Sequence, residues 1–119
     1  MAIIQIAAAI SAQSNCPDTQ LFCLVAHWTM DSVTGSTLDE ETGNHDGTLV
    51  NTPVQDTDSK KGTHSLLFDD ASNEKVTVPD HDTFSLHATE ARTISFWFKV
   101  PDTGAFHMLF MKGTGYSTD

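Results

Sequence analysis

The chain has 119 residues, of which 39% are hydrophobic, so it is long enough to form one domain around a buried core. Its 16 acidic residues outnumber 6 lysines and arginines, and the formal net charge is −10. A surface of this sign repels phosphate backbones and anionic lipids, which argues against nucleic-acid binding and electrostatic membrane docking and favours divalent cations. No stretch approaches the roughly 20 apolar residues that a membrane-spanning helix needs.

The first 23 residues differ in composition from the rest of the chain. They begin with an apolar segment that contains small residues but has no Lys or Arg before it, which makes an incomplete secretion signal. The alternation of Ile4, Ile6 and Ala8 equally suits an extended arm or a first strand. Cys16 and Cys23 enclose a loop that a disulfide can close, and two buried thiols are the alternative. We therefore predict that residues 1–23 are an N-terminal arm or leader separate from the domain that follows.

From residue 24 onward, short apolar segments alternate with turns rich in Gly, Pro and Asp. A turn is predicted at 32–36, and a polar loop begins at Leu38 and runs into a strand that Pro53 closes. The segments predicted as strands are, in chain order, 24–31, the end of 38–50, 65–70, 75–79, 92–100 and 105–112.

The segment 92–100 has the clearest strand pattern, because its side chains alternate strictly between two faces. One face is wholly apolar and consists of Ile94, Phe96, Phe98 and Val100. The other carries Thr93, Ser95, Trp97 and Lys99. This pattern predicts a central strand with the apolar face turned into a core, and the alternative is that Trp97 faces a ligand.

Helical periodicity over ten residues is absent except in the N-terminal arm, and the predicted strands recur at roughly ten-residue spacing. Such a pattern is typical of an all-β protein. We predict an antiparallel β-sandwich or jelly roll over residues 24–119.

The order of these segments resembles the laminin-G-like jelly roll of the concanavalin A-like lectin/glucanase superfamily. The resemblance covers residues 24–119 and rests on six short motifs, which are His27-Trp28-Thr29-Met30-Asp31, Gly43-Asn44-His45-Asp46-Gly47-Thr48-Leu49, Gly62-Thr63-His64-Ser65-Leu66-Leu67-Phe68-Asp69, Val76-Thr77-Val78-Pro79-Asp80, Thr93-Ile94-Ser95-Phe96-Trp97-Phe98 and Leu109-Phe110-Met111-Lys112-Gly113. In the family an acidic residue precedes the Gly-Asn pair by three positions, and here Glu40 or its neighbour Asp39 takes that part.

The resemblance also implies further strands after the Lys112-Gly113 turn, so we expect the sandwich to be incomplete within this chain. Half a sandwich leaves sheet edges and faces uncovered. Either the chain is a fragment, or neighbouring chains complete its fold.

The strongest chemical candidate is a calcium site, because loops of Asp, Asn and Gly supply the oxygen ligands that this ion prefers. Some family members bind calcium in such loops, which points to Asp31, Asn44 and Asp46 as metal ligands. The alternative is that these are turn residues that cap their own backbone.

Catalytic motifs are missing from the sequence, and its carboxylates lie in turns rather than alternating along one strand as in glycosidases. We therefore expect a protein that is not an enzyme. The resemblance implies a recognition and adhesion module, extracellular or on a cell or virion surface, that binds a glycan or surface ligand with calcium as candidate cofactor. The alternative is a structural subunit of a multichain assembly, such as a virion decoration or tail protein or an extracellular filament.

Overall fold

The computed structural model describes residues 2–13, 24–85, 91–100, 104 and 107–113, with the backbone alone for 2–13, 70 and 91. These residues form nine strands, which are β1 (Ala2–Gln13), β2 (Leu24–Ala26), β3 (Val33–Thr34), β4 (Thr37–Leu38), β5 (Gly47–Val50), β6 (Val54–Asp56), β7 (Ser65–Phe68), β8 (Lys75–Thr77) and β9 (Ala91–Lys99). Short 3-10 turns span Asp70–Ser72 and Asp82–Phe84. All strand pairs are antiparallel, which confirms the prediction of an all-β protein.

The first sheet has five strands and is organised around β1. One side of β1 pairs with β9, and the other side pairs with β7 near its start and with β2 near its end. β6 extends the sheet beyond β7. Of the alternatives that the sequence left open for the N-terminal segment, residues 2–13 therefore have the conformation of a strand, paired within the same sheet as residues 24–26, 65–68 and 91–99.

The second sheet has four strands in the order β3-β4-β5-β8. β3 and β4 form a tight hairpin in which Val33 lies opposite Leu38, and Gly35 with φ of +62° turns the chain between them. Leu49 of β5 lies opposite Val76 of β8, which closes the sheet at its other edge.

The hydrophobic core draws residues from strands of both sheets. Its buried members are Ala26, Trp28, Met30, Leu38, Leu66 and Phe68, and Val33, Leu49, Val76, Val78 and Phe84 pack against them. The indole Nε1 of Trp28 donates a hydrogen bond to the backbone carbonyl of His45 at 2.9 Å, so the polar end of this buried ring is satisfied.

The apolar side chains of β9 lie on the side of the first sheet that packs against the core, as the sequence predicted. Position 4 of β1 is in register with both Leu66 and Phe98, and position 10 is in register with both Ala26 and Ile94. Directly opposite residues share a face of an antiparallel sheet. Phe98 and Ile94 thus lie on the face where Leu66 and Ala26 are buried, which we call the inner face.

The prediction that this face of β9 is buried was wrong within the described chain. Phe98 is 53% exposed and Ile94 is 38% exposed. The core cluster includes residues of β2 and β7 but none of residues 92–99, the part of β9 whose side chains are described, so packing against the second sheet ends before it reaches them.

Two further sequence predictions concern the strand over 105–112 and the pair of cysteines. The strand predicted over 105–112 is not formed at residues 107–112, the part of it that the structure describes. Cys16 and Cys23 lie outside the described residues. No helix among the described residues is long and apolar enough to cross a membrane.

Candidate functional site

Asp31 holds the loop that precedes β7 in place through hydrogen bonds. Its Oδ1 accepts the backbone N–H groups of Thr63 and His64, each at 2.8 Å, and the Thr63 hydroxyl at 3.1 Å. Burial raises the pKa of Asp31, but these hydrogen bonds outweigh it and hold the pKa below the usual value. Gly62 has φ of +72°, and a Cβ at this position would collide with the Asp31 carboxylate. The loop can approach the carboxylate this closely only because residue 62 is glycine.

Glu40 is the buried carboxylate of the loop between β4 and β5, and only 4% of the residue is exposed. Its Oε1 accepts the backbone N–H groups of His27 at 2.7 Å and Thr42 at 3.0 Å. Its Oε2 accepts the Thr42 hydroxyl at 2.5 Å and the backbone N–H of Asn44 at 3.4 Å. Burial raises the pKa of Glu40, and this set of donors brings it below the usual value. Glu40 therefore fixes the shape of the loop and ties it to the segment after β2.

The same loop is closed by bonds among its own residues. Oδ1 of Asp46 accepts the backbone N–H of Glu40 at 2.9 Å, and Nδ2 of Asn44 donates to the carbonyl of Thr42 at 3.2 Å. Gly43, with φ of +77°, donates its N–H to the carbonyl of Glu40 at 2.9 Å. Asn44 and Asp46 themselves are exposed on the surface of this hydrogen-bonded loop.

The three residues predicted as metal ligands are distributed over two loops. Asn44 and Asp46 lie together, whereas the hydrogen bonds of Asp31 go to the loop at residues 62–64. The part of the chain that the structure describes contains no group of three or more His, Cys, Asp or Glu side chains placed to hold a metal ion. The calcium site stays a prediction.

Beside Asn44 and Asp46 lies an open cleft of about 260 Å³, which we call the polar cleft. It separates two loops, and its lining residues are Gly43, Asn44, His45, Asp46, Pro79, Asp80 and His81. An aspartate and a histidine from each loop, together with Asn44 from the first, therefore border one depression on the surface.

Aromatic contacts hold the two walls of the polar cleft together. The buried ring of His45 meets the ring of His81 edge-on, with centroids 5.0 Å apart, and lies 4.5 Å from the ring of Phe84. Thr83 donates its backbone N–H to Nδ1 of His81 at 3.2 Å, which caps the turn Asp82–Phe84. Phe84 also packs against the core, so it holds the second wall of the cleft, residues 79–81, in place.

Asp80 forms the rim of the polar cleft and is paired with a distant lysine. Nζ of Lys112 donates to Oδ1 of Asp80 at 2.5 Å. This hydrogen bond, together with the charge of Lys112, lowers the pKa of the Asp80 carboxyl below its usual value. Asp80 is therefore an ionised acceptor, and Lys112 places a cation beside it.

Sequence reasoning identified one wall of the polar cleft and missed the other. Asn44 and Asp46 stood out because they lie in a Gly-rich polar loop, and Glu40 stood out only through the resemblance. Asp80 appeared only as the last residue of a motif of the resemblance, and neither it nor His81 was predicted as a site residue, since their place beside Asn44 depends on the pairing of β5 with β8.

Comparison with protein-family models, with curated proteins and with solved structures returned no match for this chain.

Proposed function

We propose that this protein is a non-catalytic recognition module, laminin-G-like in fold, that binds a glycan in the polar cleft. Its place of action is extracellular, on a cell surface or on a virion surface. The observation that carries the proposal is the polar cleft itself, in which Asn44, Asp46 and Asp80 present amide and carboxylate groups from two loops. Sugar hydroxyls pair with such groups as both donors and acceptors.

The walls of the polar cleft are fixed before any ligand arrives. Glu40 holds the first loop through hydrogen bonds from three backbone N–H groups, and Phe84 anchors the second loop to the core. A preformed site loses less conformational entropy on binding, so a few hydrogen bonds suffice for measurable affinity.

The charge of the molecule restricts the class of glycan. Two carboxylates, Asp46 and Asp80, border the polar cleft, Lys112 offsets one of them, and the chain as a whole carries −10. Polyanionic glycans are repelled by such a surface. We therefore propose neutral or amino sugars as ligands, with calcium as a candidate cofactor that contributes through Asp31, Asn44 or Asp46.

A glycan array that carries neutral, amino and sulfated sugars tests this function, run once with calcium and once with a chelator. We expect binding to neutral or amino sugars, lost on D80N and kept on D82N. Asp82 is the matched control because it is an exposed aspartate two residues away that does not line the polar cleft. Loss of a hydrogen bond to a charged group weakens binding about tenfold or more. An array without signal in either condition, or equal losses in the two variants, would contradict the proposal.

A second candidate function is supported by the uncovered inner face at β9. We propose, as the alternative, that the chain is a structural subunit of a multichain assembly, such as a virion decoration or tail protein or an extracellular filament. Phe98 and Ile94 are exposed on a face whose continuation is a buried core. Large exposed apolar patches mark interaction surfaces.

A further inference from the structure

The imidazole ring of His81 borders the polar cleft with one of its two nitrogens already in use. Nδ1 accepts the backbone N–H of Thr83 at 3.2 Å, and the hydroxyl of Thr83 lies 3.0 Å from the same nitrogen. A backbone N–H can only donate, so Nδ1 has to present a lone pair to it. One nitrogen of a neutral imidazole carries the proton and the other accepts. The hydrogen bond from Thr83 therefore places the ring proton of His81 on Nε2.

Nε2 is the nitrogen of His81 that is left for a ligand. It lies on the edge of the ring away from Nδ1, and none of the residues that the structure describes forms a hydrogen bond with it. The residue is exposed and belongs to the lining of the polar cleft. His81 therefore brings to this wall an N–H donor that the protein itself does not use.

The ring of His81 is held in place from two sides. Its own turn holds it through Thr83, and the buried ring of His45 meets it edge-on with centroids 5.0 Å apart. The hydroxyl of Thr83 also lies 3.3 Å from Nε2 of His45, which links the two walls of the cleft. A donor that is already fixed loses less conformational entropy on binding than a mobile side chain does.

The carboxylates of the polar cleft complement this donor. Asp46 and Asp80 accept hydrogen bonds from a ligand, whereas the free nitrogen of His81 donates one. A ligand group that satisfies both kinds has an acceptor beside a donor. An acetamido group has them on separate atoms, the carbonyl oxygen and the N–H, and is uncharged. A hydroxyl uses one oxygen for both roles, and the ammonium group of an unacetylated amino sugar offers donors only.

We propose that His81 determines the specificity of the polar cleft, with its Nε2–H donating to the amide carbonyl of an N-acetylated amino sugar. The inference rests on the proposed function and narrows its ligands to one class. The amide N–H of the same sugar then faces a carboxylate, Asp46 or Asp80. An unacetylated amino sugar is attracted by these carboxylates alone and makes no use of His81.

The position of the ring proton is tested on the protein without any sugar. Long-range ¹⁵N–¹H correlation spectra of the whole chain at neutral pH distinguish a protonated ring nitrogen from a bare one. We expect His81 to carry its proton on Nε2 and to have a bare Nδ1. A ring with the proton on Nδ1, with protons on both nitrogens or with a mixture of the two neutral forms overturns the inference.

Titration calorimetry with N-acetylglucosamine and with glucosamine tests the selectivity. H81S removes the imidazole donor and keeps a cap for the turn, because serine is a preferred N-cap residue. We expect N-acetylglucosamine to bind H81S about threefold to tenfold more weakly than the wild type, as for loss of one uncharged hydrogen bond. Glucosamine should bind both alike. H64S makes the same change at a half-exposed histidine outside the polar cleft and should leave both affinities unchanged.

A second variant separates the hydrogen bond from charge. H81D also caps the turn, since aspartate is a preferred N-cap residue, but it has no donor and adds a negative charge. We expect it to weaken N-acetylglucosamine and to strengthen glucosamine, whose ammonium group the added carboxylate attracts. Urea unfolding checks that H81S is folded, and H81D decides if it is not.

The outcomes separate this inference from the proposed function. If sugars bind but H81S weakens N-acetylglucosamine and glucosamine equally, or weakens neither, the inference is overturned and the glycan site stands. A loss in H64S equal to that in H81S overturns it in the same way. If neither these two sugars nor any sugar of the array binds the wild type, the proposed function falls and the inference falls with it.

Discussion

Oδ1 of Asp31 accepts the backbone N–H of His64 at 2.8 Å, across 33 positions of the chain. The same oxygen accepts from Thr63, so a carboxylate predicted as a metal ligand acts here as an acceptor for backbone amides. Glu40 does the same for the backbone N–H groups of Thr42 and Asn44 in the loop beside the polar cleft, and for that of His27 in the segment after β2. Two carboxylates thus hold two loops in place, and only the loop of Glu40 borders the polar cleft.

The contact between Gly62 and Asp31 predicts that alanine is poorly tolerated at position 62. Gly62→Ala places a methyl group against the Asp31 carboxylate at a positive φ, whereas Gly35→Ala has a similar positive φ with open space around the new Cβ. We expect Gly35→Ala to cost about 1–2 kcal/mol of unfolding free energy, the ordinary cost of this backbone region. Gly62→Ala should cost about 1–3 kcal/mol more, as for overpacking. Urea unfolding measures both, and equal losses would show that Asp31 does not crowd this position.

Removal of the Glu40 carboxylate should destabilise the protein far more than removal of its exposed neighbour. Glu40→Ala leaves the N–H groups of His27 and Thr42 without their acceptor, and we expect a loss of about 2–4 kcal/mol. Glu41→Ala removes only an exposed pair with His27, and about 1 kcal/mol or less is expected. Chemical unfolding followed by tryptophan fluorescence measures the two variants. Similar values would mean that Glu40 does not organise the loop.

Stability should decline at acidic pH because the pKa values of Asp31 and Glu40 are both lowered in the folded state. The unfolded chain then binds more protons than the folded chain between the two pKa values of each group, so unfolding free energy rises with pH there. The contribution is complete above the usual values of 3.8 for Asp and 4.5 for Glu, and is lost as pH falls through the folded values.

Glu40→Gln removes one of these titrations and should flatten the pH dependence of the unfolding free energy below pH 4.5, the usual Glu value, whereas Glu41→Gln should leave it as in the wild type. Urea unfolding at a series of pH values gives the slopes directly. A wild-type profile without a slope in this range would contradict the folded-state hydrogen bonds of both carboxylates.

The fold follows from the sequence where the evidence is local and regular. Alternation over 92–100 predicted the strand β9 and which of its sides faces inward, and Pro53 marked the end of the strand before it. The hairpin of β3 and β4 was missed and predicted as a turn and loop, because strands of two residues are too short to show a period.

The parts that could not be predicted depend on contacts between distant segments. Asp31 contacts Thr63 and His64 in the loop that joins the paired strands β6 and β7, and Asp80 lies beside the loop of Asn44 through the pairing of β5 with β8. The burial of β9 failed as a prediction for the same reason, since alternation assigns a residue to a face but not what covers that face.

Chemical-shift mapping with a neutral or amino sugar from the array is the most direct test of the glycan site, and a chain of 13.0 kDa suits it well. The account predicts that the amide signals that shift on titration cluster at residues 43–46 and 80–81, in the two walls of the polar cleft. Shifts confined to β9 or to the loop at 62–64, with the walls unaffected, would contradict it.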